Sequence, residues 1–161
     1  MQHASPPSSP RLHHLQPQGL YDARPNGYHH AVAVHGPAQW VFVSGQGGED
    51  ASGQLPADFA AQARQALDNL QRALRAAGAD MGQVAKLTLL IVDHSEERFI
   101  DWQAAVRLHW SEGTDGNALP PFPACTLIPV PRLALPGMLI EVDAVAALPA
   151  TAAPARPPLW V

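Results

Sequence analysis

Apolar residues recur along this chain with two different periods, and their order predicts the elements of the fold. From His29 to Val34 the residues alternate, with His30, Val32 and Val34 on one side. Gly36-Pro37 breaks the run, and Trp40-Val41-Phe42-Val43-Ser44 resumes it, so two β-rich runs around a Gly-Pro turn predict a hairpin. Gly45, Gly47 and Gly48 end the second strand, and a polar loop runs from Glu49 to Gly53. The period then changes. Phe59, Ala63, Ala66, Leu67, Leu70, Leu74 and Ala77 recur at spacings of three and four and form one apolar stripe, with Gln62, Gln65, Asp68, Arg72 and Arg75 on the other faces. Asp58 can cap this helix, and Gly78 stands where a left-handed C-terminal residue is wanted.

A turn around Asp80 to Gln83 leads into Val84–Val92, a strand whose two faces are both largely apolar: Leu87, Leu89 and Ile91 on one, Thr88, Leu90 and Val92 on the other. Ser95 caps a second helix, Glu96 and Glu97 suit its first turn, and Phe99, Trp102, Val106 and Trp110 form its buried stripe. Trp40, like Trp102 and Trp110, sits at a core periodicity. A loop from Gly113 to Pro121 precedes two final strands, Ala124–Val130 and Met138–Ala146. The predicted order is β-β-α-β-α-β-β, an α+β fold in which two helices cover one face of a mixed sheet. The other face still carries apolar residues, so self-association is expected to cover it.

Composition narrows the class. The chain has 161 residues, 47% hydrophobic, enough for one core. Its formal charge is −4, with one lysine and nine arginines that form no cluster, so a nucleic-acid footprint is absent and no nucleic-acid or membrane partner is expected. No apolar run approaches the roughly 20 residues of a membrane span, and Met1–Leu20 lacks the apolar stretch of a secretory signal; a cytoplasmic protein is expected. The single cysteine excludes an intrachain disulfide. Prolines concentrate at the two ends. Residues 1–19 are expected to be a disordered lead, 20–148 the folded domain, and 149–161 a Pro/Ala-rich tail whose tip, Leu159-Trp160-Val161, is more simply a frayed end than a docking element.

Six segments in register carry a resemblance to a known family. They are Asn26-Gly27-Tyr28-His29-His30-Ala31-Val32, Val41-Phe42-Val43-Ser44-Gly45-Gln46, Gln65 to Gly78, Val84-Ala85-Lys86-Leu87-Thr88, Phe122-Pro123-Ala124-Cys125 and Ile140-Glu141-Val142-Asp143-Ala144-Val145-Ala146. Together they resemble the Rid (YjgF-like) family of enamine/imine deaminases, of which this chain would be a divergent member. The resemblance implies a chorismate-mutase-like fold, a homotrimer with ligand clefts between adjacent subunits, a small metabolite as the partner, and catalysis with neither metal nor organic cofactor. Relatives of this kind hydrolyse reactive species such as 2-aminoacrylate to the keto acid and ammonia. An arginine grips the substrate carboxylate with two hydrogen bonds, and a glutamate on the last strand positions water. The family name has also been attached to ribonuclease activity, for which this acidic chain offers no physical basis.

Carried over position by position, the resemblance implies a substrate-binding role for Tyr28, for Ser44, Gly45 and Gln46 at the strand exit, and for Arg132 in the last connection. Asp143 takes the catalytic glutamate's place, shorter by one methylene, roughly 1.5 Å of bond. Cys125 stands where the family has its arginine, and Asn117 is offset by two residues from the family's loop asparagine. A thiol cannot anchor a carboxylate, so a substrate other than 2-aminoacrylate is expected. Three roles for Cys125 stay open: a small hydrophobe filling the cleft, a pocket-shaping residue for a less charged substrate, or a nucleophile activated by His29 or His30. Asp143, placed in the same cleft, would disfavour the thiolate. His29 and His30 are adjacent and would face opposite ways, so a metal site is not expected. The readings are therefore a hydrolytic deaminase, a non-catalytic trimer that binds a metabolite or protein, and a Cys125-dependent hydrolase or lyase.

Overall fold

A computed structural model describes residues 10–111 and 121–150 of the protein. The start of the lead, the tail tip and Asn117 lie outside the described residues. The strands are β1 (Arg11–Leu15), β2 (Ala31–His35), β3 (Ala38–Gly47), β4 (Val84–Val92), β5 (Ala124–Val130) and β6 (Ile140–Pro149), and the helices are α1 (Phe59–Ala76) and α2 (Glu96–Trp110). The expected order is present with one strand added in front.

That strand lies inside the segment read as a disordered lead. Residues 11–15 pair antiparallel with β2, Leu12 opposite Val34 and His14 opposite Val32. The Pro/Ser/Gln content around them hid five residues that β2 could use as a partner. The expected β2–β3 hairpin does not form, for the same reason. Gly36 turns the chain at φ +93, Pro37 has no N–H to donate, and β2 joins β1 in a two-stranded sheet while β3 enters a separate sheet of order β3-β6-β4-β5. In that sheet β4 and β5 run parallel and the other pairs antiparallel. Pro129 is accommodated because β5 is an edge strand.

Both helices pack on one face of this sheet. Asp58 caps α1 by accepting from the Ala61 N–H, Ser95 caps α2 through the Arg98 N–H, and Gly78 takes φ +79 just past α1. The stripe of α1, with Leu67, Leu70 and Leu74 fully buried, meets Leu87, Leu89, Ile91, Ile140 and Val142 of the sheet, and Trp102, Val106 and Trp110 of α2 complete the core. Each such leucine contributes about 1.5–3 kcal/mol. Gln62 departs from expectation, being fully buried rather than on an outer face. Its amide donates to the carbonyls of Pro56 and Gly137 and accepts from the Leu139 N–H, at 2.7–2.8 Å, tying α1 to the chain entering β6. Gly48 lets it in, since a Cβ there would lie 2.7 Å from the Gln62 Cα.

The opposite face of the sheet has no helix on it. Trp40 and Phe42 of β3 and Ile128 of β5 are 48%, 77% and 42% exposed in the single chain. Trp40 is thus not a core residue of the subunit, because its strand position directs it away from α1 and α2.

Candidate active-site cavity

A cavity of about 380 Å³ opens between α2, the first half of β5 and the segment ahead of β2. Leu89, Cys125 and Leu127 supply its floor from the parallel strand pair, and Phe99 and Trp102 of α2 supply a wall. Tyr21, Tyr28 and the Asn26-Gly27 corner close the remaining side. Gly27 turns at φ +82 against Val106, a position and a contact that a larger residue would disturb. Gln103 of α2 donates to Asn26 Oδ1 at 3.0 Å and fixes this corner to the helix.

The electrostatics are those of an apolar pocket. Burial pushes the Cys125 thiol up to about 11, only partly opposed by the charge of Lys86. Tyr28 rises to about 12, chiefly through burial and then through its hydrogen bond with the Tyr21 hydroxyl. Both groups therefore keep their protons at neutral pH. The two histidines considered as activators of Cys125 make other bonds. His29 is buried, its Nδ1 2.8 Å from the Phe122 carbonyl oxygen, and His30 Nε2 lies 2.8 Å from the Tyr21 carbonyl oxygen.

The remaining predicted residues fall elsewhere, and the reason is the two-residue period of a strand. Cys125, Leu87, Ala144 and Val43 form one cross-strand row, on the helix side. Thr126, Thr88 and Asp143 form the next, on the open side. Within one subunit Cys125 and Asp143 thus project from opposite faces of the sheet, so a cleft holding both would have to lie between subunits. Ser44 and Gly45 form the irregularity in β3 opposite Asp143, where the register shifts between Val43 and Gln46. The Gln46 side chain turns back to donate to the Ser44 and Gly45 carbonyls, at 3.1 and 3.3 Å. A side chain at Gly45 would run into the Glu141 carboxylate, which lies over it. Arg132 stands beyond the far end of β5, in the lining of a separate hollow that it shares with Val92 and Leu133 to Leu139. Seven positions at about 3.3 Å each put it roughly 20 Å along the chain from Cys125, so it cannot serve as a substitute anchor in the same subunit's cavity.

Sequence reasoning missed Tyr21. It falls on no periodic pattern and outside the six registered segments; only the folded path from β1 to β2 brings its hydroxyl onto that of Tyr28. Among the described residues, no three His, Cys, Asp or Glu side chains come together as a metal-ligand set, and no helix is long and apolar enough to cross a membrane.

Two helices on one face of a β3-β6-β4-β5 sheet, with a cavity at the edge strand, define an α+β protein of the YjgF-like kind. Residues 22–148 match the family described as Endoribonuclease L-PSP, and the chain belongs to that family, known also as the Rid family. It is 36% identical over 95 residues to the 2-iminobutanoate/2-iminopropanoate deaminase of Escherichia coli (strain K12), which covers 59% of this chain and 68% of that protein. Over a shorter stretch of 68 residues it is 47% identical to the rat protein of the same name, covering 41% of this chain and 47% of the relative. Among solved structures it is similar to the Rid-family protein YyfB from Yersinia pestis, whose function is described as unknown, with a TM-score of 0.75 and 33% identity over 85% of this chain and 98% of that one. It is also similar to the YjgF gene product from E. coli, at a TM-score of 0.56 and 30% identity over 75% and 93% of the two chains.

Proposed function

We propose that the protein is a hydrolytic deaminase of a reactive imine or enamine, working as a homotrimer with its sites between subunits. The separation of Cys125 and Asp143 by the sheet is the observation that carries this reading. A site that uses both the α2 cavity and the Asp143 carboxylate can be assembled only from two copies, with the open face of one subunit against the cavity side of the next. Trp40, Phe42 and Ile128 on that open face give such a contact its apolar area. The similarity to proteins named 2-iminobutanoate/2-iminopropanoate deaminase supports the reaction class.

In this scheme Asp143 accepts a proton from water as the water oxygen bonds to the imine carbon. Asp143 hands that proton to nitrogen, the second proton leaves the new hydroxyl and follows it to nitrogen as the carbon–nitrogen bond breaks, and a carbonyl compound and ammonia leave. Tyr28 and the Ser44–Gln46 backbone line the composite site. Cys125 shapes the pocket; a thiol that ionises only near 11 is a poor candidate nucleophile, which weighs against the cysteine-dependent hydrolase. With thiol replacing guanidinium, the substrate differs from 2-aminoacrylate. Ammonia release from freshly generated imines tests the reading: Asp143→Asn should lower the catalysed rate at least a hundredfold. Absence of acceleration on every imine tried would leave the non-catalytic binding trimer in its place.

A further inference from the structure

The cavity is large and uncharged, and this bears on what it holds. None of the described residues that line it carries a charge at neutral pH. The arginines nearest in the fold are committed elsewhere. Arg24 pairs with Asp22 at 2.8 Å, Arg107 donates to the Pro25 carbonyl, and Arg98 donates to the Val92 carbonyl while stacking 5.4 Å from the Phe59 ring. Lys86, whose charge reaches Cys125, stands on the opposite face of the sheet and donates to the Thr126 hydroxyl. A carboxylate entering this space would therefore lose its water without gaining a cation from the same subunit. The rings of Phe99 and Trp102 offer instead an aromatic wall, and the volume is within the range of pockets that enclose whole organic ligands. The cavity's polar lining includes the paired hydroxyls of Tyr21 and Tyr28, with the Cys125 thiol and the Asn26 amide, whose Oδ1 is already taken by Gln103.

We infer that the ligand of this cavity is an imine without a carboxylate, R–CH=NH with R an aromatic or bulky apolar group, its ring against Phe99 and Trp102 and its nitrogen at the Tyr21–Tyr28 hydroxyl pair. The inference rests on the deaminase reading and names its substrate class. Hydrolysis consumes one water: its oxygen bonds to the imine carbon, the carbon–nitrogen bond breaks, both water protons end on the departing ammonia, and R–CHO remains. There is no net oxidation or reduction. The reaction that supplies such a substrate is the two-electron oxidation of a primary amine. Tyr21 becomes a specificity-determining residue, since its hydroxyl holds that of Tyr28 at the polar end.

Two measurements on the full chain test this. In the first, imines are generated in place from benzylamine by an added amine oxidase and from alanine by an added amino-acid oxidase. Acceleration of ammonia release should give kcat/KM at least tenfold higher for the benzylamine-derived imine, and Cys125→Arg should reverse the order. In the second, the unreactive probes benzamide and benzoate are compared by calorimetry; benzamide should bind at least tenfold more tightly, and Tyr21→Phe should weaken it. A preference for the alanine-derived imine, or benzoate binding as well as benzamide, overturns the inference while leaving deamination intact. Failure of benzamide to bind also overturns it. A benzamide preference with no imine hydrolysed sustains the ligand class and rejects the deaminase.

Discussion

Cys125 and Gln62 show how far a single residue can be read from sequence. The departure at Cys125 is legible, because it interrupts a registered motif; its chemistry is not, because the burial that pushes the thiol up to about 11 comes from Phe99, Trp102 and Leu127 closing around it. Between pH 9.0, where a free thiol ionises, and about 11 the folded state holds a proton that the unfolded state has released. Stability therefore falls as pH rises through that window, by about 2–3 kcal/mol. Urea titrations at pH 8 and 10.5 should show the loss, and Cys125→Ala should reduce it. Iodoacetamide should react slowly at pH 7–8.5, and an alkylation midpoint below 8.5 would refute the buried-thiol account. Gln62 is invisible to periodicity, since a glutamine on a helix reads as solvent-facing until a loop folds over it. Gln62→Leu keeps the volume but strands the Leu139 N–H and the Pro56 and Gly137 carbonyls. A cost of about 3 kcal/mol is expected, measured as a lower urea midpoint.

At the scale of elements, strands and helices with strong periods are legible, and their partners are not. The stripes of α1 and α2, the bounds of β4 and β5 and both N-caps follow from the pattern of residues. Pairing depends on which edge is left open, and so β1 and the missing β2–β3 hairpin escape local reasoning. The β1–β2 pair has its own chemistry. The His14 ring lies 5.1 Å from that of His29, and its pKa is lowered by burial first and then by His29 and His13. Below about 6.5 the unfolded or undocked strand binds a proton that docked His14 resists. The docking of β1 is thus fully stable above that pH and weakens as pH falls through it. Hydrogen exchange of the β1 amides should accelerate between pH 7 and 5 beyond the intrinsic rate change, and His14→Gln should flatten the difference. Because Tyr21 follows β1, release of the strand should also loosen the cavity.

For the molecule as a whole, the sequence carries the need for a partner but not its placement. The two apolar faces of β4 imply that something covers the open side, whereas the separation of Cys125 from Asp143 emerges only from cross-strand register. Phe42 is the most exposed large hydrophobic side chain among the described strands of the sheet, at 77%. If the proposed trimer forms, Phe42→Asp should convert it to a folded monomer, seen by light scattering with an unchanged far-ultraviolet spectrum, and the proposed deaminase activity should vanish with it. In the proposed trimer, the division of the site by the sheet also makes a defect shareable. A subunit lacking Tyr28 still offers a good Asp143, and a subunit lacking Asp143 still offers a good cavity. Unfolded together and refolded as mixed rings, two inactive variants should restore each other, with about a quarter of the interfaces drawing both halves intact under random assembly. Each alone would stay silent at any concentration.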